Sequence, residues 1–275
     1  MTDSLDLDAY LARIGHSGDT APTRETLATL VLAHATSIPF ENLDPLLGRP
    51  IRLDAASVQQ KLVAERRGGY CFEHNSLLAL ALTALGFPVT ALAARVVRNQ
   101  PAGTPLPRTH MLLAVEVGGD PVIVDVGYGG LTLTGVLRME ADAEQETPHE
   151  PFRLARLRNG FGLEALVGGT WTPLYEFDLT AQLAPDIEMM NHFTATWPQS
   201  IFRHTLMAAR ATDEGRLGLR NNTLSIHRLG TPSEQRALET AAELREVLAD
   251  TFTIALPDDA SLDAVLERFA RGEGG

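Results

Sequence analysis

The sequence predicts an α+β chain of several domains, in which a helical part is followed by an antiparallel sheet or barrel and then by a mixed part. Three observations carry this. Apolar residues recur at helical spacing as far as Phe87. From Val89 to about Phe177, short β-favouring runs alternate with glycine- and proline-bearing turns. The last quarter combines a hairpin signal with helical stretches. The divisions expected are 1–87, 88–197 and 198–275.

In the first part, Thr23 precedes a helical run with Leu27, Leu30, Val31 and His34, and is placed to cap it. A second helix fits Ala55 to Arg66. A third opens near Cys71 and stops at Gly86 and Pro88. In the second part, strands are expected over Ala91–Val97, Met111–Val117, Val122–Val126, Phe161–Val167 and Trp171–Phe177. The acidic, apolar-poor stretch from Glu140 to Glu150 reads as an exposed loop. In the third part, Leu217–Leu219 and Thr223–His227 flank a turn and form a hairpin. Thr231-Pro232-Ser233-Glu234 matches a capping box, so a helix is expected from there to about Asp250, and another over Ser261–Arg271.

The chain has 275 residues, enough for one large domain or a few small ones. With 44% apolar and 21% charged residues, both near ordinary globular values, disorder, collagen and coiled coil are poor readings. The net charge of −12 repels nucleic acid and acidic lipid, so neither is an expected partner. Cys71 is the only cysteine, which excludes an intrachain disulfide and a multi-cysteine zinc site. The start is polar rather than signal-like, and the apolar run Leu77–Phe87 falls short of the ~20 residues that span a bilayer. A cytoplasmic location is therefore expected. Lys61 is the only lysine.

The sharpest chemical feature is Arg67-Gly68-Gly69-Tyr70-Cys71-Phe72-Glu73-His74-Asn75. Two glycines leave a loop and a cysteine opens a helix, where the positive end of the helix dipole favours thiolate. Such a thiol needs a base and a group that orients the base. His110 shares one strand face with Leu112 and Ala114, while Met111, Leu113, Val115 and Val117 take the other. Asp125, in the apolar run Val122–Val126, requires a hydrogen-bonding partner, and an imidazole suits it. A symmetric hairpin over Gly118–Pro121 pairs Ala114 with Asp125 and leaves His110 roughly 13 Å away along the strand, at ~3.3 Å per residue. A direct bond therefore needs a bulge, another register or another strand order. His74 is the rival base, or a packing residue, or with Cys71 a metal ligand lacking the further ligands such a site needs. Glu41 and Glu73 are candidates to pair with Arg66 or Arg67. The turn Gly127-Tyr128-Gly129-Gly130 suits a phosphate-bearing ligand or is only a tight turn. The run of Arg203, Arg210, Arg216, Arg220 and Arg228 suits a polyphosphorylated ligand or is a solvated face.

Taken with Ser37-Ile38-Pro39-Phe40-Glu41-Asn42-Leu43, Thr109-His110 and Val124–Gly130, the cysteine-centred motif resembles the arylamine N-acetyltransferase family. The opening Tyr10-Leu11-Ala12-Arg13-Ile14 and the layout of the last third extend the likeness. Tyr128 departs from the phenylalanine common in bacterial members. The resemblance implies a helical bundle, an antiparallel β-barrel and an α/β lid in a papain-like cysteine-enzyme architecture. It implies a triad of Cys71, His110 and Asp125, with acetyl-CoA as acyl-donor co-substrate and no metal. It places Gly127, Gly129 and Gly130 near CoA, and makes Phe40, Tyr70, Tyr128 and Phe202 candidates for an aromatic acceptor pocket. The implied reaction is ping-pong acetylation of an arylamine or arylhydrazine through an acetyl-cysteine, with a monomer and a homo-oligomer both open. A papain-like cysteine amidase or hydrolase would use the same three residues, with water in place of the amine, and a non-catalytic protein that keeps the fold is a third reading.

Overall fold

The computed structural model describes residues 5–101 and 103–273. Helices α1 (Leu7–Arg13), α2 (Arg24–Ser37), α3 (Leu43–Leu46), α4 (Ala55–Gln59) and α5 (Cys71–Ala84) make the first part, with the two-residue strand β1 (Phe40–Glu41) between α2 and α3. Thr23 caps α2 as expected, its hydroxyl accepting from Thr26 N–H at 3.1 Å. The helix expected over Ala55–Arg66 is shorter and changes pitch: α4 runs into a π-turn over Gln60–Ala64, and Arg66 turns out of the helix with a φ of 53°. Gly86, at φ 88°, follows the last turn of α5.

Strands β2 (Val89–Val96), β3 (His110–Val117), β4 (Asp120–Val124), β5 (Leu137–Arg138), β6 (Phe152–Leu157), β7 (Gly160–Val167) and β8 (Thr170–Phe177) form an antiparallel sheet in the order β5-β4-β3-β2-β8-β7-β6. It curls into a nearly closed barrel. The segment expected to be an exposed loop helps close it: Gln145 is buried, pairs its backbone with Phe152, and exchanges hydrogen bonds with Arg138 through its amide. A buried backbone needs partners whatever its composition, which is why an apolar-poor stretch reads wrongly as solvated.

The β3–β4 hairpin corrects the expected register. The turn uses only Gly118 and Gly119, both with positive φ (64° and 92°), as a two-residue turn demands. Val117 then pairs with Asp120 and Leu113 with Val124. The continuation of that register sets Asp125 opposite Leu112 instead of Ala114. His110 is thus two residues from it on the same face, within reach of two side chains.

After α6 (Ala184–Thr196), strands β9 (Met207–Thr212), β10 (Gly215–Arg220), β11 (Thr223–Arg228) and β12 (Glu234–Ala237) form a second antiparallel sheet, which β1 joins at the β9 edge. The hairpin β10–β11 turns over Asn221-Asn222 as expected. The helix expected after Thr231 is not there. Glu234–Ala237 is the edge strand β12, and α7 (Ala241–Glu246) starts later, where Thr240 and Glu243 form the capping box that Thr231 and Glu234 resemble. Helix α8 (Ala260–Ala270) matches the last expected helix.

Three hydrophobic clusters hold these layers. One lies between α1, α2, α5 and the Met111/Leu113/Val115 face of β3. A second fills the barrel and includes Leu112, Ile123, Phe152 and Tyr175. The third joins Leu43 and Leu46 to the second sheet, α7 and α8. Strand β3 is therefore buried on both faces, one on the helices and one in the barrel, and its N-terminal residue is His110. Among the described residues no helix is long and apolar enough to cross a membrane.

Candidate active site

Cys71 is the first residue of α5, and the loop before it is fixed by backbone contact. Gly69 C=O accepts from Glu41 N–H at 2.8 Å. A Cβ on Gly68 would sit 2.1 Å from the Pro39 carbonyl oxygen, so only glycine allows the two chain segments this approach. Arg67 anchors the start of the loop: its guanidinium binds Glu41 at 2.6 and 2.9 Å, both side chains being buried. The pairing foreseen for the loop is this one; Arg66 takes no part, and Glu73 instead binds Lys61 at 2.7 Å. A buried pair of this kind is expensive to break because one charge would remain uncompensated.

His110 and Asp125 come together. The imidazole Nε2 lies 2.6 Å from Asp125 Oδ2. The same carboxylate accepts three more hydrogen bonds, from Tyr175 O–H (2.9 Å), Asn75 Nδ2 (2.9 Å) and Gly127 N–H (2.9 Å). Burial alone would raise its pKa; the adjoining His110 charge, with the hydrogen bonds from His110, Asn75 and Gly127, holds it below the usual carboxylate range. Burial alone would lower that of His110; the Asp125 charge, with hydrogen bonds to Asp125 and Cys71, raises it to about 10. An imidazolium is thus favoured beside the sulfur. Cys71 Sγ also lies 3.7 Å from the Thr109 carbonyl oxygen.

Two of Asp125's partners escape sequence reading. Asn75, one turn along α5 from Cys71, belongs to the quoted motif, but nothing local shows that its amide also donates to Met111 C=O (2.8 Å) and accepts from Val126 N–H (3.2 Å). Tyr175 lies 50 residues from Asp125; its one signal is an inward-facing position, shared with Phe177, on the strand predicted over Trp171–Phe177. Gly127 serves the same junction. A Cβ there would lie 2.7 Å from Cys71 Cα and 2.8 Å from Asn75 Nδ2, so its missing side chain lets the end of β4 seat against α5.

The rival base, His74, is turned away from this chemistry. Its Nε2 hydrogen-bonds the Pro39 carbonyl oxygen (3.1 Å) and its Nδ1 meets His34 Nε2 (3.0 Å), while His34 Nδ1 meets Tyr10 O–H (3.0 Å). Since Pro39 offers only an acceptor, the chain runs one way, from the Tyr10 hydroxyl through two neutral imidazoles.

The remaining expected residues divide. Phe40, Phe202 and Tyr70 cluster, with ring centroids 6.4 Å apart for Phe40–Phe202 and 5.4 Å for Tyr70–Phe202. Tyr70 is fully buried, and its hydroxyl donates to Asn191. Tyr128 stands edge-on to His110 at 5.4 Å, and its hydroxyl donates to Leu174 C=O at 3.3 Å. Gly129 (φ 90°) faces the Phe40 ring, and Gly130 would point a Cβ into open space. Of the basic run, Arg216 is buried with Glu150 (2.7 Å), Arg210 donates to Thr36 C=O and Arg203 to Thr196 C=O, Arg228 pairs with Glu234, and Arg220 is exposed.

Comparison with known proteins places the whole chain in a family. A family model described as N-acetyltransferase matches residues 23–261. The chain is 44% identical over 264 residues to the arylamine N-acetyltransferase of Mycolicibacterium smegmatis, covering 94% of this chain and 96% of that protein. This chain belongs to the arylamine N-acetyltransferase family. The Escherichia coli K12 relative of the same name is 44% identical over 253 residues, covering 92% of this chain and 90% of its own. The solved structure of Mycobacterium marinum arylamine N-acetyltransferase in complex with CoA superposes with a TM-score of 0.93 at 41% identity, covering 96% of this chain and 99% of that one. The α+β fold expected from the family is thereby confirmed.

Proposed function

We propose that the protein acetylates arylamines and arylhydrazines from acetyl-CoA, through an acetyl group carried on Cys71. The observation that carries this reading is the 2.6 Å contact between His110 and Asp125, with the Cys71 sulfur among the groups that raise the His110 pKa. His110 holds the thiol proton, and Asp125 fixes the ring and stabilises its positive charge. The thiolate adds to the thioester carbonyl carbon. The C–S bond to CoA breaks, and the departing thiolate takes the proton from His110. The amine nitrogen then adds to the acetyl-cysteine, His110 accepts its proton, and the amide leaves as the Cys71 sulfur is released. The first N–H groups of α5 have no partner within the helix, and they face the oxyanion from the side of Cys71.

The CoA complex of the Mycobacterium marinum relative supports acetyl-CoA as the donor. In this chain Gly130 leaves the backbone accessible after Asp125, Gly129 packs against the Phe40 ring, and Gly127 shapes the turn from within. Phe40, Phe202 and Tyr128 offer aromatic surface to the acceptor, with Tyr70 supporting Phe202 from behind. The divisions at 87 and 197 fit the helical, barrel and lid roles, and the absence of disulfide chemistry suits the cytoplasm.

Brief incubation with acetyl-CoA and no amine is expected to add one acetyl group, located on Cys71 by peptide mapping. No adduct, or an adduct that persists in Cys71→Ala, would overturn the reading.

A further inference from the structure

We propose that Lys61 is a positioning residue for the nucleophile: its ammonium holds the Glu73 carboxylate against the Tyr70 peptide, so that the first turn of α5 offers Cys71 a fixed cap and no uncompensated negative charge. Lys61 is the only lysine of the chain and sits in the π-turn before the catalytic loop. Its side chain is 14% exposed, and its Nζ lies 2.6 Å from Asp44 Oδ2 and 2.7 Å from Glu73 Oε1. The other Glu73 oxygen accepts from Tyr70 N–H at 3.1 Å, the N–H of the residue that immediately precedes Cys71. That carboxylate oxygen lies 2.7 Å from where a Cβ on Gly69 would be, so it fills the slot the glycine leaves.

The pair ends a longer alternation. Asp44 also meets Arg67 at 3.4 Å, and Arg67 holds Glu41, whose second oxygen accepts from Leu43 N–H at 2.6 Å. Arg49 approaches Asp44 from the outside at 3.8 Å, so three carboxylates share three cations. Glu73 faces Lys61 and Glu41 from neighbouring elements; Cys71 faces His110 from β3 and has Tyr70 and Glu73 on its own segment. Burial and Glu41 both push the Glu73 pKa up, and Lys61 opposes them. Without the lysine, Glu73 is a buried carboxylate two residues from a sulfur that must become an anion. Such a charge either repels the thiolate or takes up a proton, loosening the cap.

The inference rests on Cys71 being the nucleophile, and its test does not use acetyl transfer. Iodoacetamide alkylation of Cys71 is followed across pH for the wild type, Lys61→Met, Lys61→Arg, Glu73→Gln and the double variant Lys61→Met/Glu73→Gln. In Lys61→Met the acid limb is expected to move up in pH, with the rate below neutrality falling about tenfold per unit of displacement. Lys61→Arg keeps the wild-type limb, and the double variant, with both charges gone, returns toward it. A Lys61→Met profile that overlies the wild type, or a double variant as impaired as Lys61→Met, overturns the proposal. If Lys61→Met does not fold, Glu73→Gln decides: its limb is expected below that of the wild type, and an unmoved limb is equally fatal. Wild-type acetylation by acetyl-CoA is measured alongside, so that failure of the triad reading registers separately.

Discussion

Asp125 gathers four donors onto two oxygens in a site with no exposure. At that density the carboxylate has one orientation, and it passes that orientation to His110. Asp125→Asn keeps the shape, but its amide must turn a donor toward groups that already donate, and the histidine loses both its countercharge and its tautomer. The expected result is a fall in acylation rate of about 10³–10⁴-fold, as where a triad aspartate is replaced elsewhere, with near-native circular dichroism. Turnover within a few-fold of wild type in the folded variant would remove the orienting role. Cys71, His110 and Asp125 are legible in the sequence because each breaks a local pattern: a thiol after two glycines, and polar groups within apolar strands. Asn75 and Tyr175 break none. An asparagine near a helix start and a tyrosine in a strand are ordinary there, and only the third dimension aims them at one carboxylate.

Among elements, α1, α2 and α5 are joined by the hydrogen bonds from Tyr10 through His34 and His74 to Pro39. Burial lowers both histidines, His74 to about 4 and His34 well below its ordinary value, each with smaller contributions from nearby groups. The unfolded chain, where each titrates near ~6.5, therefore binds more protons as the pH falls. The contribution is complete above about pH 6.5 and is lost on acidification toward about 4, by up to about 1.4 kcal/mol per pH unit for each histidine. His110 works in the opposite sense, its contribution being lost only as pH rises toward about 10, so it does not mask the effect. Urea midpoints measured between neutrality and pH 5 are expected to fall steadily; a flat dependence would show that the histidines are not held neutral. Periodicity locates most elements but is weaker on their limits. The Thr–x–x–Glu pattern occurs at Thr231 and again at Thr240, and only the second starts a helix, since residues 234–237 have an open strand edge at β11 to complete. Likewise the proline–glycine run at 118–121 marks a hairpin, while its two-residue length follows from which glycines take positive φ.

Across the whole molecule, the early and late parts of the chain are tied through Asn42. Its amide donates to Phe202 C=O (2.9 Å) and Thr205 C=O (2.8 Å) and accepts from Met207 N–H (2.8 Å), with the side chain buried. Asn42→Ala leaves up to three backbone groups without partners, at ~1–3 kcal/mol each if no water replaces them. A lower Tm is expected, with KM for the amine rising more than acylation slows, because Phe202 is the aromatic residue released. Unchanged KM in a destabilised variant would separate this tie from the acceptor side. The three-part plan is legible because each part has its own periodicity. That β1 pairs with a strand more than 160 residues later is not, since two residues carry no period at all. Phe40 and Glu41 act as a splint: one side rests on Gly69 beside the nucleophile, the other on Ala208 and Ala209. All three reactive residues are encoded before position 126, yet β1, which rests on the loop before Cys71, has its other side covered by β9. The brace that steadies the sulfur is completed only when the last third of the polypeptide has been made.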